Sequence, residues 1–159
     1  MMLDVSNLHY EIDRLNIKDL PDIMVVEQAS FAYPWPQEAF VAEFSKPYSR
    51  FLGVRYDNHV VAVLLYWLVL PEIHISSLAV HPHHRRHHLA TWLLQVLFEI
   101  GREWGASQID LEVREHNISA QQLYESMGFQ RVGVRKKYYV DTDEAAYLYS
   151  YFYENEKKL

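Results

Sequence analysis

The sequence contains no cysteine among its 159 residues. Disulfide bonds, thiolate-ligated metals and a cysteine nucleophile are therefore excluded. The chain also lacks an apolar stretch of the ~18 residues that a transmembrane helix needs, and its N-terminus has no basic region followed by an apolar one. These absences predict a cytoplasmic protein that does not enter a membrane.

Glycine and proline are scarce, with five and six residues, and neither forms a linker-like tract. No internal repeat or low-complexity segment marks a boundary. Half of the residues are hydrophobic and twelve are tyrosines, so the chain is large and apolar enough to fold around its own core. The sequence therefore predicts one domain over residues 1–159.

Charge is distributed unevenly along the chain. The formal net charge is −6, yet the segment His81 to His88 (HPHHRRHH) contains five of the nine histidines together with Arg85 and Arg86. A net-acidic chain with one compact basic segment fits local recognition of an anion better than broad nucleic-acid binding. We therefore expect no nucleic-acid partner.

Hydrophobic periodicity predicts both strands and helices. The predicted strands are 8–15, 50–56, 60–70, 73–80, 108–114, 130–139 and 145–153. The predicted helices are 16–30, 37–44, 89 to Gly101 or Gly105, and 119–127. This order of elements predicts a mixed α/β domain.

The histidine-rich segment has three interpretations from its residues alone. A strand that runs directly into a helix directs backbone N–H groups toward one place, where the helix dipole also attracts phosphate. A solvated basic surface without a ligand has the same sequence. A metal site is the third interpretation, because His83 and His87, like His84 and His88, are four residues apart and would share a helical face.

Within this segment, Arg85 to Ala90 (RRHHLA) resembles the acetyl-CoA-binding motif of the GNAT family of N-acetyltransferases, (Gln/Arg)-x-x-Gly-x-(Gly/Ala). His88 stands where the motif has glycine, which lets the backbone approach the pyrophosphate. His87 and His88 either assist the pyrophosphate, more strongly when protonated below pH ~6.5, or obstruct it. The resemblance implies acetyl-CoA as co-substrate and no metal. The implied cofactor contacts are Leu78, Ala79, Val80, Arg85, Arg86, His87, His88, Leu89, Ala90, Thr91 and Asn117.

A second segment, Leu111 to Phe129 (LEVREHNISAQQLYESMGF), resembles the ribosomal-protein-alanine N-acetyltransferase branch of the same family. The resemblance extends over about residues 16–148. It implies a twisted mixed sheet of about seven strands with helices on both faces. It also implies direct transfer of acetyl from acetyl-CoA to the N-terminal α-amine of a protein, such as a ribosomal protein. The fixed positions present are Glu112, Asn117, Ala120, Leu123, Tyr124, Gly128 and Phe129.

Two side chains of the second segment suit this chemistry. An α-amino group has a pKa of ~8 and must be neutral to attack a thioester, so the Glu112 carboxylate can take its proton. Tyr124 can give a proton or a hydrogen bond to the departing CoA thiolate. In the family, the matching residues are the base and the acid, and the residue matching Asn117 contacts the cofactor. Each also has a structural alternative: a solvent-facing carboxylate, a core tyrosine and a helix N-cap.

Aromatic side chains and one proline form the predicted acceptor site. The residues are Phe31, Tyr33, Pro34 and Trp35 of one loop, and the pair Tyr138 and Tyr139. They would wall a groove for an extended peptide, although packing of the first loop onto the sheet explains it equally well. The expected partner is a protein or peptide N-terminus, and the expected state is a monomer or a weak homodimer. Three alternatives remain: a small-molecule acetyltransferase, a degenerate family member in which His88 weakens acetyl-CoA binding, and a metal-responsive binding module.

Overall fold

The structure, a computed structural model, describes residues 9–154. Within this range seven strands form one sheet in the order β1-β2-β3-β4-β5-β7-β6, so the predicted mixed α/β fold is confirmed. Leu8, the first residue of the first predicted strand, lies outside the described residues. The strands are β1 Glu11–Arg14, β2 Ser49–Tyr56, β3 His59–Val69, β4 Glu72–Val80, β5 Gln108–Arg114, β6 Gln130–Arg135 and β7 Ala146–Phe152.

Four α-helices and two 3₁₀ turns accompany these strands in residues 9–154. None of the helices in that range has both the length and the apolar character that crossing a membrane requires. The helices are α1 Leu20–Ser30, α2 Gln37–Phe44, α3 Leu89–Trp104 and α4 Ile118–Ser126, and the 3₁₀ turns are Ile17–Asp19 and Pro82–His84.

Residues 9–68 and 76–96 form one compact unit, built on the antiparallel strands β1, β2 and β3. The turn between β2 and β3 is Asp57-Asn58, as predicted, and both residues have a left-handed backbone (φ 50° and 64°). Two consecutive left-handed residues are typical of a type I′ turn, whose twist matches that of the strands it joins. Aspartate and asparagine adopt this backbone more readily than most side chains.

Helix α1 begins where the sequence has helix-start signals. The Asn16 side chain accepts a hydrogen bond from the Lys18 N–H (2.9 Å), and the Asp19 carboxylate accepts one from the Asn16 N–H (3.0 Å). Pro21 follows in the first turn of α1, where its missing N–H breaks no helical hydrogen bond. The predicted helix 16–30 is therefore a capped 3₁₀ turn followed by α1.

The core of this unit is rich in aromatic contacts. Phe44 of α2 stacks on Phe51 of β2 with ring centroids 4.0 Å apart. Trp35, in the loop before α2, packs against Phe40 with centroids 5.4 Å apart. These contacts attach α2 and the preceding loop to the strands. The buried members of the cluster are Leu15, Leu20, Ile23, Val26, Phe40, Phe51, Val60, Val63, Leu65 and Ala79.

Residues 69–75 and 97–154 form the second unit. Glu72–Ile75 of β4 pair in parallel with Gln108–Leu111 of β5, and β7 is antiparallel to both β5 and β6. Along β5 the side chains alternate strictly between buried and half-buried, as the pattern QIDLEVR predicts. Ile109, Leu111 and Val113 are buried, so the polar residues between them share the opposite face.

Two glycines near the end of α3 have different roles. Gly105 follows the last helical residue with a left-handed backbone (φ 73°), the conformation that ends many helices. Gly101 lies inside the helix. A Cβ atom there would be 2.0 Å from the hydroxyl oxygen of Tyr153, which donates a hydrogen bond to the Phe98 carbonyl (2.8 Å). Of the two predicted ends, the one at Gly105 is confirmed.

Strand β6 is shorter than predicted. It ends at Arg135 rather than at Tyr139, because the chain turns at Lys137, which has a left-handed backbone (φ 54°). Tyr138 and Tyr139 therefore lie in the β6–β7 loop, residues 136–145. The β6 strand is last in the strand order, and its register with β7 shifts between Arg131 and Gly133.

Candidate active site

Glu112 lies on the polar face of β5 and is bound by a histidine of the neighbouring strand. His74 of β4 is in register with Asp110, so Glu112, two residues further along, shares the face of His74. The Nε2 atom of His74 is 2.7 Å from Oε2 of Glu112. The Glu112 side chain is 25% exposed and thus accessible to solvent. The sequence alone does not predict a role for His74, since only the parallel register of β4 and β5 brings it to Glu112.

Tyr124 is buried in α4. Its ring meets Phe129 edge to face, with centroids 5.4 Å apart, and its backbone carbonyl accepts a hydrogen bond from the Phe129 N–H (3.0 Å). Burial raises the pKa of the Tyr124 hydroxyl well above its ordinary value, and nearby Tyr139 raises it further. The hydroxyl is therefore protonated, and available as a donor, throughout the physiological pH range.

Tyr139 connects the β6–β7 loop to the polar face of β5. Burial raises the pKa of Tyr139 to about 12; the Arg114 guanidinium opposes this shift and the Glu112 carboxylate adds to it. The Arg114 guanidinium carbon lies 4.0 Å from the centroid of the Tyr139 ring. Tyr139 therefore lies within electrostatic range of both Glu112 and Tyr124 in the second unit.

The β6–β7 loop is held by charged contacts at its base. Arg114 donates two hydrogen bonds to Asp141, at 2.9 and 2.7 Å, and its guanidinium lies 3.4 Å from Glu144. The hydrogen bond from Arg114 and its charge lower the pKa of Asp141, which stays ionised as its partner. Tyr138 is 42% exposed and meets Tyr139 edge to face. Tyr138 thus faces solvent, whereas Tyr139 is half-buried beside Arg114.

Asn117 is the N-cap of α4. Its side-chain oxygen accepts a hydrogen bond from the Ala120 N–H (3.2 Å). The Gln121 amide donates to the carbonyls of Arg114 (3.3 Å) and Glu115 (2.9 Å) and holds the preceding turn. The capping role that the sequence allowed is observed, whereas the predicted cofactor contact of Asn117 stays a prediction.

The histidine-rich segment belongs to the first unit and is not helical. His83 and His84 lie in the 3₁₀ turn after β4, and α3 begins only at Leu89. The predicted shared helical face of His83 with His87, and of His84 with His88, is therefore wrong. Pro82 starts a tight turn and the chain then extends before it enters the helix, so histidines four apart do not align.

Two residues of this segment have a left-handed backbone. Arg86 has φ 67° and His88 has φ 59°. A non-glycine residue in this region carries a steric cost of about 1–2 kcal/mol. The backbone at His88 is therefore one that glycine adopts without this cost, although the side chain there is histidine. That side chain is exposed.

Helix α3 starts at the position where the motif predicts a phosphate. The His88 carbonyl accepts the hydrogen bond of the Trp92 N–H (3.0 Å), the first bond of the helix. The N–H groups of Leu89, Ala90 and Thr91 precede that bond and have no partner within the helix. Arg85 and Arg86 are both exposed beside them. An anion at this position would therefore be stabilised by backbone donors, the helix dipole and two guanidinium groups.

His81 and His84 contribute little positive charge to this segment. Burial lowers the pKa of both, and neighbouring histidines lower it further. The Tyr10 hydroxyl lies 2.9 Å from Nδ1 of His84, and its ring also meets that of His87 at 5.7 Å. These two contacts to Tyr10, the residue before β1, hold the segment in place, and the sequence did not predict them.

The loop before α2 divides its aromatic residues between core and solvent. Trp35 packs into the core of the first unit, and its N–H donates to Glu27 (3.1 Å), a buried carboxylate whose pKa burial raises. Tyr33 is 57% exposed and Phe31 is 37% exposed. Pro34, between them and Trp35, is exposed as well. Packing of the loop onto the core therefore accounts for Trp35, whereas Phe31, Tyr33 and Pro34 face solvent.

The left-handed backbone of His88 leads to a stability prediction. His88→Gly removes the steric cost, whereas His88→Ala keeps that cost and removes only the imidazole. We expect the Tm of His88→Gly to exceed that of His88→Ala by about 2–4 °C, the equivalent of ~1 kcal/mol in a protein of this size. Differential scanning calorimetry of the two variants provides the measurement. Equal Tm values would show that the backbone at His88 is not strained.

Proteins of one family are similar to this chain over most of its length. Residues 20–129 match the family model described as the acetyltransferase (GNAT) family. The ribosomal protein bS18-alanine N-acetyltransferase of Escherichia coli (strain K12) is 33% identical over 132 residues, which cover 83% of this chain and 88% of that protein. The crystal structure of the ribosomal-protein-S18-alanine N-acetyltransferase from Escherichia coli superposes with a TM-score of 0.86 and 28% identity, covering 94% of this chain and 98% of that chain. Arabidopsis thaliana NAA60, in its complex with acetyl-CoA, has the same fold, with a TM-score of 0.81, 19% identity and coverage of 91% and 99%.

Proposed function

Because the chain belongs to the acetyltransferase (GNAT) family, as its motifs predicted, we propose that it acetylates the α-amine of an N-terminal alanine on a ribosomal protein. One observation carries the proposal: the segment Leu111 to Phe129 keeps every fixed position of the branch motif, and Tyr139 of the β6–β7 loop lies within electrostatic range of its Glu112 and its Tyr124. These residues supply an accessible carboxylate, a protonated phenol and an aromatic side chain. Acyl transfer to an amine needs the carboxylate and the phenol, and recognition of an extended peptide benefits from the aromatic side chain.

The pyrophosphate of acetyl-CoA has a binding site of suitable chemistry in the first unit. Arg85 and Arg86 supply charge, and the N–H groups at the start of α3 supply donors without intrahelical partners. We assign Leu78, Ala79 and Val80 to the pantetheine arm. They lie in β4 after Ile75, the last residue that pairs with β5. His87 and His88 immediately precede the backbone donors of Leu89 to Thr91.

Glu112 acts as the general base of the reaction. The α-ammonium group loses a proton to the carboxylate, directly or through a water, and the neutral amine attacks the carbonyl carbon of the thioester. The new C–N bond forms as the C–S bond breaks, and the sulfur leaves with the electron pair of that bond. The nitrogen then loses its second proton to the CoA thiolate or, through water, to solvent, which gives the neutral amide. A carboxylate that is one quarter exposed can release the accepted proton to solvent between turnovers.

Tyr124 stabilises the departing thiolate as a hydrogen-bond donor. A thiol has a pKa near ~8.5, lower than that of a phenol. Because burial raises the pKa of Tyr124 still further, full transfer of its proton to sulfur is uphill. Donation of a hydrogen bond toward the negative charge that develops on sulfur needs no such transfer.

The acceptor peptide contacts tyrosines of the β6–β7 loop in the second unit, the exposed Tyr138 and the half-buried Tyr139. In the first unit, Phe31, Tyr33 and Pro34 offer an exposed apolar surface. The partly buried Trp35 supports its loop by packing against the core of the first unit. A protein of the cytoplasm, where ribosomal proteins are made, would meet these substrates before ribosome assembly.

Mass spectrometry of peptide acetylation tests the proposal. The full chain is incubated with acetyl-CoA and a panel of peptides that differ only in the first residue, including the N-terminal sequence of a ribosomal protein that starts with alanine. We expect a single added acetyl group on the α-amine of alanine-starting peptides and none on peptides with a blocked N-terminus. Acetylation of lysine side chains alone would contradict the proposal.

A matched panel of small amines distinguishes the proposed function from its alternative, the acetylation of a small-molecule amine. Polyamines, amino acids and aminoglycosides are supplied at the same concentration as the peptides, and CoA release is followed in both sets. We expect kcat/KM for the alanine peptide to exceed that for every small amine by roughly a hundredfold or more. Only the peptide is long enough to contact the aromatic side chains of the proposed acceptor site as well as the catalytic residues. Faster turnover of a small amine would overturn the protein-substrate proposal while leaving the acetyltransferase family intact.

A further inference from the structure

The hydrogen bond between His74 and Glu112 involves a residue without an assigned role. Its donor and acceptor atoms, Nε2 and Oε2, are 2.7 Å apart, short for a nitrogen–oxygen pair. As a general base, Glu112 must be an ionised carboxylate, which can only accept, so this role for Glu112 requires the Nε2 atom of His74 to be the donor. One oxygen of the carboxylate is thereby engaged, which leaves the other for a different donor.

The pair is fixed by its strands rather than by long flexible side chains. Ile73 and Ile75, which flank His74, are buried, and so are the two neighbours of Glu112 on β5. Parallel pairing sets the register at His74 and Asp110. On its other side, β5 pairs with β7 from Gln108 to Arg114. The backbone of both residues is therefore held by strand pairing, and the imidazole reaches the carboxylate without rearrangement.

We infer that His74 is a positioning residue for Glu112, which orients the carboxylate so that its Oε1 atom faces the amine. This inference rests on the proposed function. His74 keeps its Nε2 proton during the reaction, and the proton lost by the amine goes to the other oxygen of Glu112. A carboxylate held on one side spends less of its time in unproductive rotamers, so His74 contributes to turnover and little to substrate affinity.

A comparison of two His74 substitutions isolates this role. His74→Gln keeps an N–H donor of similar reach, whereas His74→Ala removes it. We expect His74→Ala to lower kcat about tenfold with nearly unchanged KM for acetyl-CoA and peptide, and His74→Gln to retain kcat within about threefold. A drop of equal size in both variants, or a change confined to KM, would overturn the inference.

A double-mutant cycle with Glu112→Gln shows whether His74 acts through Glu112. In that background we expect His74→Ala to change kcat by less than about twofold, because there is no longer a carboxylate base to orient. Two additive losses would show that His74 acts independently. A folding defect alone would lower the amount of active enzyme equally in both backgrounds.

Nuclear magnetic resonance gives a readout that needs no turnover. In the ¹⁵N-labelled full chain, we expect the His74 ring to be protonated at Nε2 at pH 7.5. A ring protonated only at Nδ1 would exclude the hydrogen bond and the inference with it. If the wild type acetylates no peptide, the proposed function fails. If it is active and the His74 variants match it, only this inference fails.

Discussion

Glu112→Gln is expected to lower kcat/KM for an alanine-starting peptide by roughly a hundredfold at pH 7. The amide is nearly the same size and can still contact His74, but it cannot take a proton. The defect should shrink as the pH passes the amine pKa of ~8, because a growing fraction of the amine is already neutral. Steady-state assays of CoA release between pH 6.5 and 9.5 provide the measurement.

Asp110→Asn is the control for this prediction. Asp110 lies on the same face of the same strand, where it accepts hydrogen bonds from Ser150 (2.5 Å) and Gln108 (2.9 Å). We expect its kcat/KM to remain within about threefold of wild type at every pH. A Glu112→Gln enzyme with a wild-type rate at pH 7 would show that another group, or water, removes the amine proton.

Tyr124→Phe is expected to lower kcat by roughly a hundredfold without a change in acetyl-CoA affinity. Only the hydroxyl is lost, and the ring can keep its contact with Phe129. Because burial raises the pKa of Tyr124, the hydroxyl stays protonated from pH 6.5 to 9.5. The loss should therefore be constant over this range, in contrast to that of Glu112→Gln. Rapid-quench measurement of one turnover, combined with calorimetric titration of acetyl-CoA, separates the chemical step from binding.

Tyr149→Phe is the matched control for Tyr124→Phe. Tyr149 is also buried, and its hydroxyl donates to Glu125 (2.9 Å) on the same helix as Tyr124. Removal of that hydroxyl should cost about 1 kcal/mol in free energy of unfolding and leave kcat nearly unchanged. Equal losses of kcat in the two variants would indicate that Tyr124 supports the fold and not the leaving group.

The sequence predicts elements well where local pattern and tertiary burial agree. Strand β5 has one apolar face and one polar face, so alternation determines both its extent and the side on which Glu112 lies. The turn Asp57-Asn58 is determined by local backbone preference. In each case the residues that decide the structure are neighbours in the chain.

The wrong predictions concern features that depend on residues far apart in the chain. Strand β6 is predicted to continue to Tyr139 because the pattern remains compatible with a strand, yet contacts of Arg114 with Asp141 and Glu144 draw this part into a loop. A helical face is predicted for His83 and His87 because four-residue spacing alone cannot reveal that the helix starts at Leu89. The bond between His74 and Glu112 depends on the register of two strands that are far apart in sequence.

The contacts by which Arg114 holds the β6–β7 loop have a consequence for the proposed peptide site. The loop has already lost its conformational entropy when the protein folds, so a peptide that docks there does not have to order it. Association then requires no slow loop closure, and discrimination among peptides depends on steric fit to a wall of fixed shape. Such a surface favours a narrow set of first residues, whereas a loop that became ordered only on binding would adapt to many.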